Sequence, residues 1–225
     1  MTIPVRREQP LPDRSAGLAH HFDDLEQQHA AGSLGMWLFL VTEILFFGGL
    51  FAAYAIYRWQ YPAAFAVASH EADLVMGTIN TIVLIGSSLT MALAVHYAQL
   101  GNRKAVVAFL ILTMVLGVAF LGIKGAEYHH KYLDNHFPGP DFVFPGPYAQ
   151  QAELFFIFYF IMTGLHALHM VIGIGLLSTV AVLAWRGCYS SEHFAPVELA
   201  GLYWHFVDVV WIFLFPLLYL IDRHK

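Results

Sequence analysis

Ionisable side chains lie within long apolar runs of this sequence, where a charged group is costly to place. Residues 201–216 read GLYWHFVDVVWIFLFP and include Trp204, His205, Asp208 and Trp211. In a helix these four share one side, because residues three and four apart are neighbours. An ionisable group at the centre of a membrane span costs about 2.5 to 3.5 kcal/mol on insertion scales, so it normally faces protein or a cavity. We predict that this side of the helix is an interface or a site.

An upstream apolar run contains two imidazoles on one helix face. His166 and His169 are three residues apart in FIMTGLHALHMVIG, residues 160–173. Imidazoles from opposite helices can serve as axial haem ligands, so these two histidines and His205 allow an independent membrane cytochrome. A hydrogen-bonded polar seam between helices is the simpler interpretation, and it is the one we favour.

Glu43 lies about nine residues into the first apolar run, a depth of about 13 Å at helical rise. Its carboxyl could carry protons inside the membrane, as in a small transporter or proton channel. It could equally be a structural acid that is hydrogen-bonded to a neighbouring helix. The residues alone leave both interpretations open.

Two further glutamates complete the predicted set. Glu127 follows Lys124 by three residues and precedes Lys131 by four, so an ion pair with either lysine is plausible. Glu198 precedes the C-terminal motif and lies near the same helical stripe. We therefore predict a buried polar seam, or an interface with a partner, that consists of Glu43, Glu127, His166, His169, Glu198, His205 and Asp208.

Metal binding is a less favoured interpretation of the remaining histidines. Glu127, His129 and His130 could contribute to a zinc or copper site, but adjacent residues point to different sides of a helix. The N-terminal part holds a second cluster, made of His20, His21, His29, Asp23, Asp24 and Glu26. We interpret it as a solvated surface cluster. The single cysteine, Cys188, cannot form an internal disulfide or a multi-cysteine metal site, and we predict no metal ion in this chain.

The elements that position these residues follow from composition and length. Of 225 residues, 58% are hydrophobic and 12% are charged, whereas soluble domains average roughly 25% charged. The composition indicates an integral membrane protein, and within a bilayer each spanning run must be a helix that pairs its own backbone groups. Five runs have the required length of about 20 apolar residues, at about 34–57, 74–98, 105–127, 153–185 and 197–221. The predicted fold is all-α, a bundle of five transmembrane helices over residues 34–222.

The segments outside these runs indicate an orientation. Residues 1–33 form a polar tail, and residues 128–151 form a long loop that carries the sequence PGP twice. Basic residues are more numerous on the side of the N-terminus, where the flanks hold Arg6, Arg7, Arg14, Arg103, Lys104 and Arg186. By the positive-inside rule the N-terminus is predicted to be cytoplasmic, and the long loop and the C-terminus periplasmic. The net charge of −5 includes no basic block, so nucleic acid is not an expected partner.

Four sequence motifs carry a resemblance to a known family. They are YWHFVDVVW at 203–211, FIMTGLHALHMVIG at 160–173, INTIVLIGSS at 79–88 and GxxxxEY at 122–128. Together they resemble subunit III of the haem–copper terminal oxidases over roughly residues 34–221. One position departs from the family pattern, because Lys124 stands where a neutral amide is more usual. The resemblance implies the five-helix bacterial form. The longest family members have two further helices ahead of the matched part, which form one wall of a lipid-filled cleft and are expected to be missing or replaced here.

The resemblance also implies a function for the chain. Subunit III has no redox centre, since the haems and copper of the complex belong to subunits I and II. It packs on subunit I, binds phospholipid and supports O2 reduction coupled to proton pumping. We therefore expect a subunit of a cytochrome c oxidase in a bacterial plasma membrane, with a quinol oxidase or a nitric-oxide-reductase-associated homologue as alternatives. Further small subunits or an electron-donor complex are additional partners that the resemblance allows. Candidate lipid-binding residues are Trp59, Trp185, Arg186, Trp204 and Trp211.

Overall fold

The computed structural model describes residues 25–187, 189 and 194–221. Most of the predicted N-terminal tail lies outside these residues, including His20, His21, Asp23 and Asp24, as does Cys188. Within the described residues the chain forms six α-helices and no β-strand. The helices are α1 (Leu25–Gln60), α2 (Pro62–His70), α3 (Leu74–Gln99), α4 (Arg103–Leu133), α5 (Ala149–Arg186) and α6 (Ala195–Tyr219).

Five of the six helices, all except α2, are long and apolar enough to cross a membrane. This confirms the predicted all-α fold with five membrane-spanning helices. The helices extend beyond the apolar runs, since α1 begins at Leu25 and α5 continues for 38 residues. A 38-residue helix is about 57 Å long and exceeds the hydrocarbon core of about 30 Å, so the ends of α5 project beyond it. Pro62 begins the short helix α2. Proline suits this position because the first N–H of a helix has no acceptor within the helix, so its absence costs nothing.

Side chains and glycines define where the spanning helices begin and end. The Asp73 carboxylate caps α3 and accepts hydrogen bonds from the N–H groups of Val75 and Met76 at 2.9 and 3.0 Å. The Asn102 side chain caps α4 in the same way. Gly187 ends α5 with φ +82°, a left-handed conformation that glycine adopts without a steric penalty.

Helices α3, α4, α5 and α6 form an antiparallel four-helix bundle. Each packs against the next in this order, and α6 closes the bundle by packing against α3. Helix α1 lies outside the bundle and contacts α5 and α6, while α2 packs mainly on α5. Because four helices enclose a common interior, polar side chains from distant parts of the sequence can meet there.

Glycines let the largest side chain of the bundle reach its interior. A Cβ atom at Gly117 on α4 would lie 2.8 Å from the Trp204 ring, and one at Gly173 on α5 would lie 3.1 Å from it. Trp204 is fully buried. Small residues at helix contacts in membranes allow this close approach of neighbouring elements.

The loop between α4 and α5 is held against the end of the bundle. His136 is buried, and its ring stacks on Phe156 with centroids 5.1 Å apart and planes at 16°. The Gly139 N–H donates to the carboxylate of Glu153 on α5 at 3.2 Å. The loop is therefore a packed part of the fold, anchored on α5.

Candidate functional site

The bundle interior contains an ion pair between two residues of α4. The Lys124 Nζ lies 3.0 Å from Glu127 Oε2, and both side chains are almost completely buried. The ammonium also donates to the hydroxyl oxygens of Tyr159 at 3.0 Å and Tyr219 at 2.7 Å. The Tyr219 hydroxyl in turn donates to Glu127 Oε1 at 2.8 Å. The three donors of the lysine thus have three acceptors, which is the arrangement that makes a buried charge tolerable.

Aromatic rings surround the same ammonium group. Its nitrogen lies 4.7 to 5.4 Å from four ring centroids, those of Tyr128, Tyr159, Trp211 and Tyr219. A cation at this distance from an aromatic face is stabilised electrostatically by the ring. Tyr219 instead meets the ammonium through its hydroxyl oxygen, at 2.7 Å, and not through its ring face. The cage accommodates a lysine at the position where the family resemblance leads one to expect an amide.

Lys131, the other lysine considered as a partner of Glu127, contacts a different group. Its ammonium donates to the main-chain carbonyl of Glu71, between α2 and α3. The Lys124 pairing is therefore the one formed, and Lys131 connects the end of α4 to the segment that precedes α3.

A second polar contact joins α1 to the bundle. His169 Nε2 on α5 lies 3.1 Å from Glu43 Oε2 on α1, and His169 Nδ1 lies 2.8 Å from the Leu165 carbonyl oxygen. Because a carbonyl can only accept, Nδ1 holds a proton. Nε2 and the carboxyl group then share one further proton, which resides either on the imidazole or on the acid. Both side chains are partly buried, at 12% and 19% exposure for His169 and Glu43.

A third set of polar contacts fastens α6 to α3. His205 Nδ1 lies 2.8 Å from the Ser88 hydroxyl. The indole N–H of Trp204 donates to Ser87 Oγ, and that of Trp211 donates to Thr81 Oγ1, each at 3.1 Å. Two of these three hydrogen bonds involve adjacent residues and the third lies about two turns away, so together they fix the register of the two helices.

Some buried polar groups have no hydrogen-bond partner within the described part of the chain. They are both ring nitrogens of His166, both carboxyl oxygens of Asp208, both side-chain atoms of Asn80, and Nδ1 of His136. The His166 ring packs against Phe120 and Trp211, with centroids 5.3 Å from each. A buried polar group without a partner costs about 1 to 3 kcal/mol, so a bound water or another polar group beside these positions would stabilise them.

The structure divides the predicted polar seam into separate groups. Glu127 belongs to the lysine cluster, Glu43 and His169 to the α1 contact, and His205 to the α3–α6 seam. Glu198 is exposed on the first turn of α6 and is not part of a buried seam, because the helix begins just before it and turns it outwards. Tyr159 and Tyr219 are members that the sequence patterns missed, and tyrosines interspersed in the apolar runs are their only sequence signal.

The tryptophans predicted to bind lipid fall into two classes. Trp204 and Trp211 are fully buried among the helices, so they do not present a surface to lipid in this chain. Trp59 and Trp185 are 86% and 69% exposed, and Arg186 is exposed beside Trp185. Trp59 lines an open cleft of about 800 Å³ together with Arg58, near the end of α1.

The arrangement of imidazoles does not favour metal or haem ligation. Both nitrogens of His169 and Nδ1 of His205 already make hydrogen bonds, and His166 faces aromatic rings. Among the residues that the structure describes, no group of three or more His, Cys, Asp and Glu side chains could hold a metal ion. The ion pair and hydrogen bonds described above join the helices of the chain to one another.

Comparison with known proteins gives a consistent set of similarities. The family model described as cytochrome c oxidase subunit III matches residues 23–222. Cytochrome c oxidase subunit 3 of Thermostichus vulcanus is 35% identical over 93% of this chain and 96% of its own length. The protein of the same description from Alkalihalophilus pseudofirmus is 31% identical over 92% of this chain and 95% of its own. Quinol oxidase subunit 3 of Bacillus subtilis is 32% identical over 87% of this chain and 91% of its own.

Proposed function

This chain belongs to the cytochrome c oxidase subunit III family, and we propose that it is the non-redox subunit III of a respiratory haem–copper oxidase. In this proposal it packs on subunit I and supports the reduction of O2 and the associated proton pumping, while the haems and copper are held by subunits I and II. The family match across residues 23–222 carries the proposal.

The geometry supports a structural role for the chain. Four of its buried or partly buried ionisable groups pair with one another, in the Lys124–Glu127 ion pair and the Glu43–His169 contact. Satisfied polar networks rigidify the interior of a helix bundle. A rigid bundle is a suitable support for a catalytic neighbour whose own groups must be held accurately.

Cytochrome c is the electron donor that we propose, because the Thermostichus and Alkalihalophilus relatives are described as cytochrome c oxidase subunits. Quinol is a second candidate, favoured by the similarity to the Bacillus subtilis quinol oxidase subunit at 32% identity. The choice depends on subunit II, since a dinuclear copper site there would accept electrons from cytochrome c.

We place the chain in a bacterial plasma membrane with the N-terminus in the cytoplasm. The basic residues that flank the N-terminal side of the helices support this orientation. Trp59 and Arg58 then lie at the periplasmic end of α1, and Trp185 and Arg186 at the cytoplasmic end of α5. Exposed indoles beside arginines at helix ends suit the interface between lipid headgroups and hydrocarbon, and we propose phospholipid contacts at both places.

Purification of the chain from its native membrane in mild detergent tests the proposal. We expect it to co-purify with a haem-containing subunit I and a subunit II, and the complex to oxidise either reduced cytochrome c or a quinol, which decides the donor. A purified preparation of the chain alone should be colourless. Failure to co-purify with any haem protein, or a stoichiometric Soret band from the isolated chain, would overturn the proposal.

A further inference from the structure

A groove between the middle turns of α3 and α6 contains a buried acid. The groove encloses about 410 Å³ and opens on the surface of the bundle. Its polar members are Asp208, His205, Ser88 and Thr81, and the rest of its lining is mainly apolar. Both helices are membrane-spanning by length and composition, so the groove faces either lipid or another transmembrane segment.

Neither carboxyl oxygen of Asp208 has a hydrogen-bond partner at normal distance, and the Ser88 hydroxyl is the one described donor close to it. A single hydroxyl donates one hydrogen bond, so at least one carboxyl oxygen lacks a donor among the described residues. Asp208 is only 4% exposed. The Ser88 hydroxyl, which lines the same groove, also lies 2.8 Å from Nδ1 of His205, so its single hydrogen serves either that nitrogen or one oxygen of Asp208. Leaving a buried carboxyl group without a donor is unfavourable, and the low polarity of the surroundings increases the cost.

The rim of the groove is apolar and available for contact. Ile85 and Leu89 on α3 are 58% and 62% exposed, and Ile212 on α6 is 52% exposed. Hydrocarbon chains could fill the volume but carry no hydrogen-bond donor for Asp208. A helix can fill the volume with its side chains and also place a donor within it, which is how polar residues join helices in membranes.

We propose that a transmembrane helix of a neighbouring oxidase subunit docks into the α3–α6 groove and donates a hydrogen bond to Asp208. The donor is a side-chain amide, hydroxyl or cation on the face of the docked helix. This inference rests on the proposed function, because that function supplies the neighbouring subunits. It goes beyond that function by naming the surface of this chain that contacts the partner and the hydrogen-bond donor that the partner must have.

Site-specific photo-cross-linking of the intact oxidase in its native membrane tests the docking face. Benzoylphenylalanine is placed at Ile85 or at Ile212, with Val115 as the matched control, because Val115 is 57% exposed and apolar but lies on α4. After irradiation the complex is purified and the adducts are mapped by mass spectrometry. We expect adducts from Ile85 and Ile212 on one transmembrane segment of another oxidase subunit that carries a donor side chain, and no adduct on that segment from Val115.

Two cross-linking outcomes would overturn the inference. One is that the adducts form only with lipid, only with a second copy of this chain, or only with its own N-terminal tail. The other is that Val115 labels the same segment as strongly as Ile85 and Ile212 do. The haem spectrum of the purified complex is read in the same samples. A normal haem complex with any of these adduct patterns refutes the docking face while the proposed function stands, whereas loss of haem co-purification with the unmodified chain refutes the function itself.

Substitution of the acid tests the hydrogen bond. We expect Asp208→Leu to weaken retention of the chain in the purified oxidase by about tenfold, as the loss of one buried hydrogen bond predicts. Glu198→Leu, an exposed acid on the same helix, should leave retention unchanged. Asp208→Asn keeps an acceptor oxygen but removes the possible negative charge. Near-normal retention of this variant identifies a neutral donor on the partner, and weakened retention identifies a cationic donor. Retention of Asp208→Leu at the normal ratio to haem would refute the bond, and cross-linking decides the docking face even where this variant does not accumulate.

Discussion

Lys124 places a positive charge in the interior of a four-helix bundle, and its surroundings explain why that is tolerated. Its ammonium meets a carboxylate and two tyrosine hydroxyls, and four aromatic rings enclose it. The free-energy cost of removing water from a charge is offset only when an opposite charge and hydrogen bonds replace the water. The lysine and its partners should therefore respond to substitution as one unit.

The first prediction concerns this unit. Lys124→Met should destabilise the fold by about 3 to 5 kcal/mol, because it leaves the Glu127 carboxylate buried without a counter-charge. Thermal unfolding of the purified protein in detergent measures the change. At the scale of a 225-residue chain, each kcal/mol corresponds to a shift of roughly 2 to 4 °C in Tm.

Two companion variants separate charge from shape. Lys124→Gln retains N–H donors for the tyrosines and the carboxylate, so we expect a smaller loss than with methionine. Adding Glu127→Gln to Lys124→Met removes the unpaired charge and should restore part of the stability. A Lys124→Met protein that melts at the temperature of the unmodified protein would refute the role given to the ion pair.

Helix packing around Trp204 is controlled by two glycines on different helices. Gly117 and Gly173 leave room for the indole, and the Trp204 N–H reaches Ser87 on α3. One tryptophan on α6 thus touches all three other helices of the bundle. Its position determines how closely the four helices approach.

The second prediction tests this packing. Gly117→Ala should destabilise the protein by about 1 to 3 kcal/mol, because its Cβ would lie 2.8 Å from the ring of Trp204. Gly122→Ala on the same helix is the control, since its Cβ would meet no atom within 4 Å. Alanine is favoured over glycine within a helix by about 0.5 to 1 kcal/mol, so the control should be neutral or slightly stabilising. Equal melting temperatures for the two variants would contradict the proposed close packing.

The α4–α5 loop contains a buried histidine, His136, and burial disfavours the protonated form of its ring. Burial lowers the pKa of His136 below its ordinary value of 6.5, and the charge of Lys131 lowers it further, while Glu71 and Asp134 act in the opposite direction. The folded loop therefore favours the neutral ring. When the loop opens, the ring binds a proton near pH 6.5.

The third prediction follows from the sign of this shift. Between the lowered pKa and about 6.5 the open state binds more protons, so the stability of the loop falls as the pH falls below about 6.5 and is complete above it. Hydrogen exchange of the loop amides at pH 7.5 and pH 5.5, corrected for the intrinsic pH dependence, measures the effect. His136→Phe keeps an aromatic ring against Phe156 but cannot titrate, so its loop should lose this pH dependence. An unchanged pH dependence in the variant would assign the effect to other groups.

Across the whole molecule, α1 is attached to the side of a bundle that the other four long helices complete. Two of its polar attachments lie at the middle and near the C-terminal end of the helix. The Glu43–His169 contact holds the middle of the helix, and the Tyr54 hydroxyl donates to the Leu217 carbonyl at 2.6 Å. Loss of one attachment should therefore loosen α1 without unfolding the bundle.

The fourth prediction compares two substitutions of Glu43. Glu43→Gln can donate an amide hydrogen to Nε2 of His169, so we expect normal complex yield and most of the oxidase activity. Glu43→Ala leaves that nitrogen without its partner and opens a cavity, a loss of about 1 to 3 kcal/mol. Limited proteolysis and complex yield read out the attachment of α1. Identical behaviour of the alanine variant and the unmodified protein would show that the contact does not hold the helix.

Composition and hydrophobic run length determined the class of this protein without any structure. Runs of about 20 apolar residues must become helices in a bilayer, because no other spanning segment pairs its own backbone groups. The five long helices confirmed that prediction, and the family match confirmed the resemblance carried by the motifs around His166 and His205. Run length, composition and motif wording depend only on residues that are close together in the sequence, so the sequence is sufficient to predict the fold class and the family.

The grouping of the polar residues depended on tertiary structure. Helical periodicity shows which residues share a face, but it does not show which face meets which helix. Lys124 meets Tyr219 across 95 positions of sequence, and Glu43 meets His169 across 126. The same lack of information led to the expectation that Glu198 lies in a buried seam, whereas it is exposed in this chain, and that Trp204 and Trp211 face lipid, whereas both are buried. An interface at Glu198 stays a prediction. A side chain on an apolar helix is equally suited to lipid and to protein, and only the packing of the other helices decides between them.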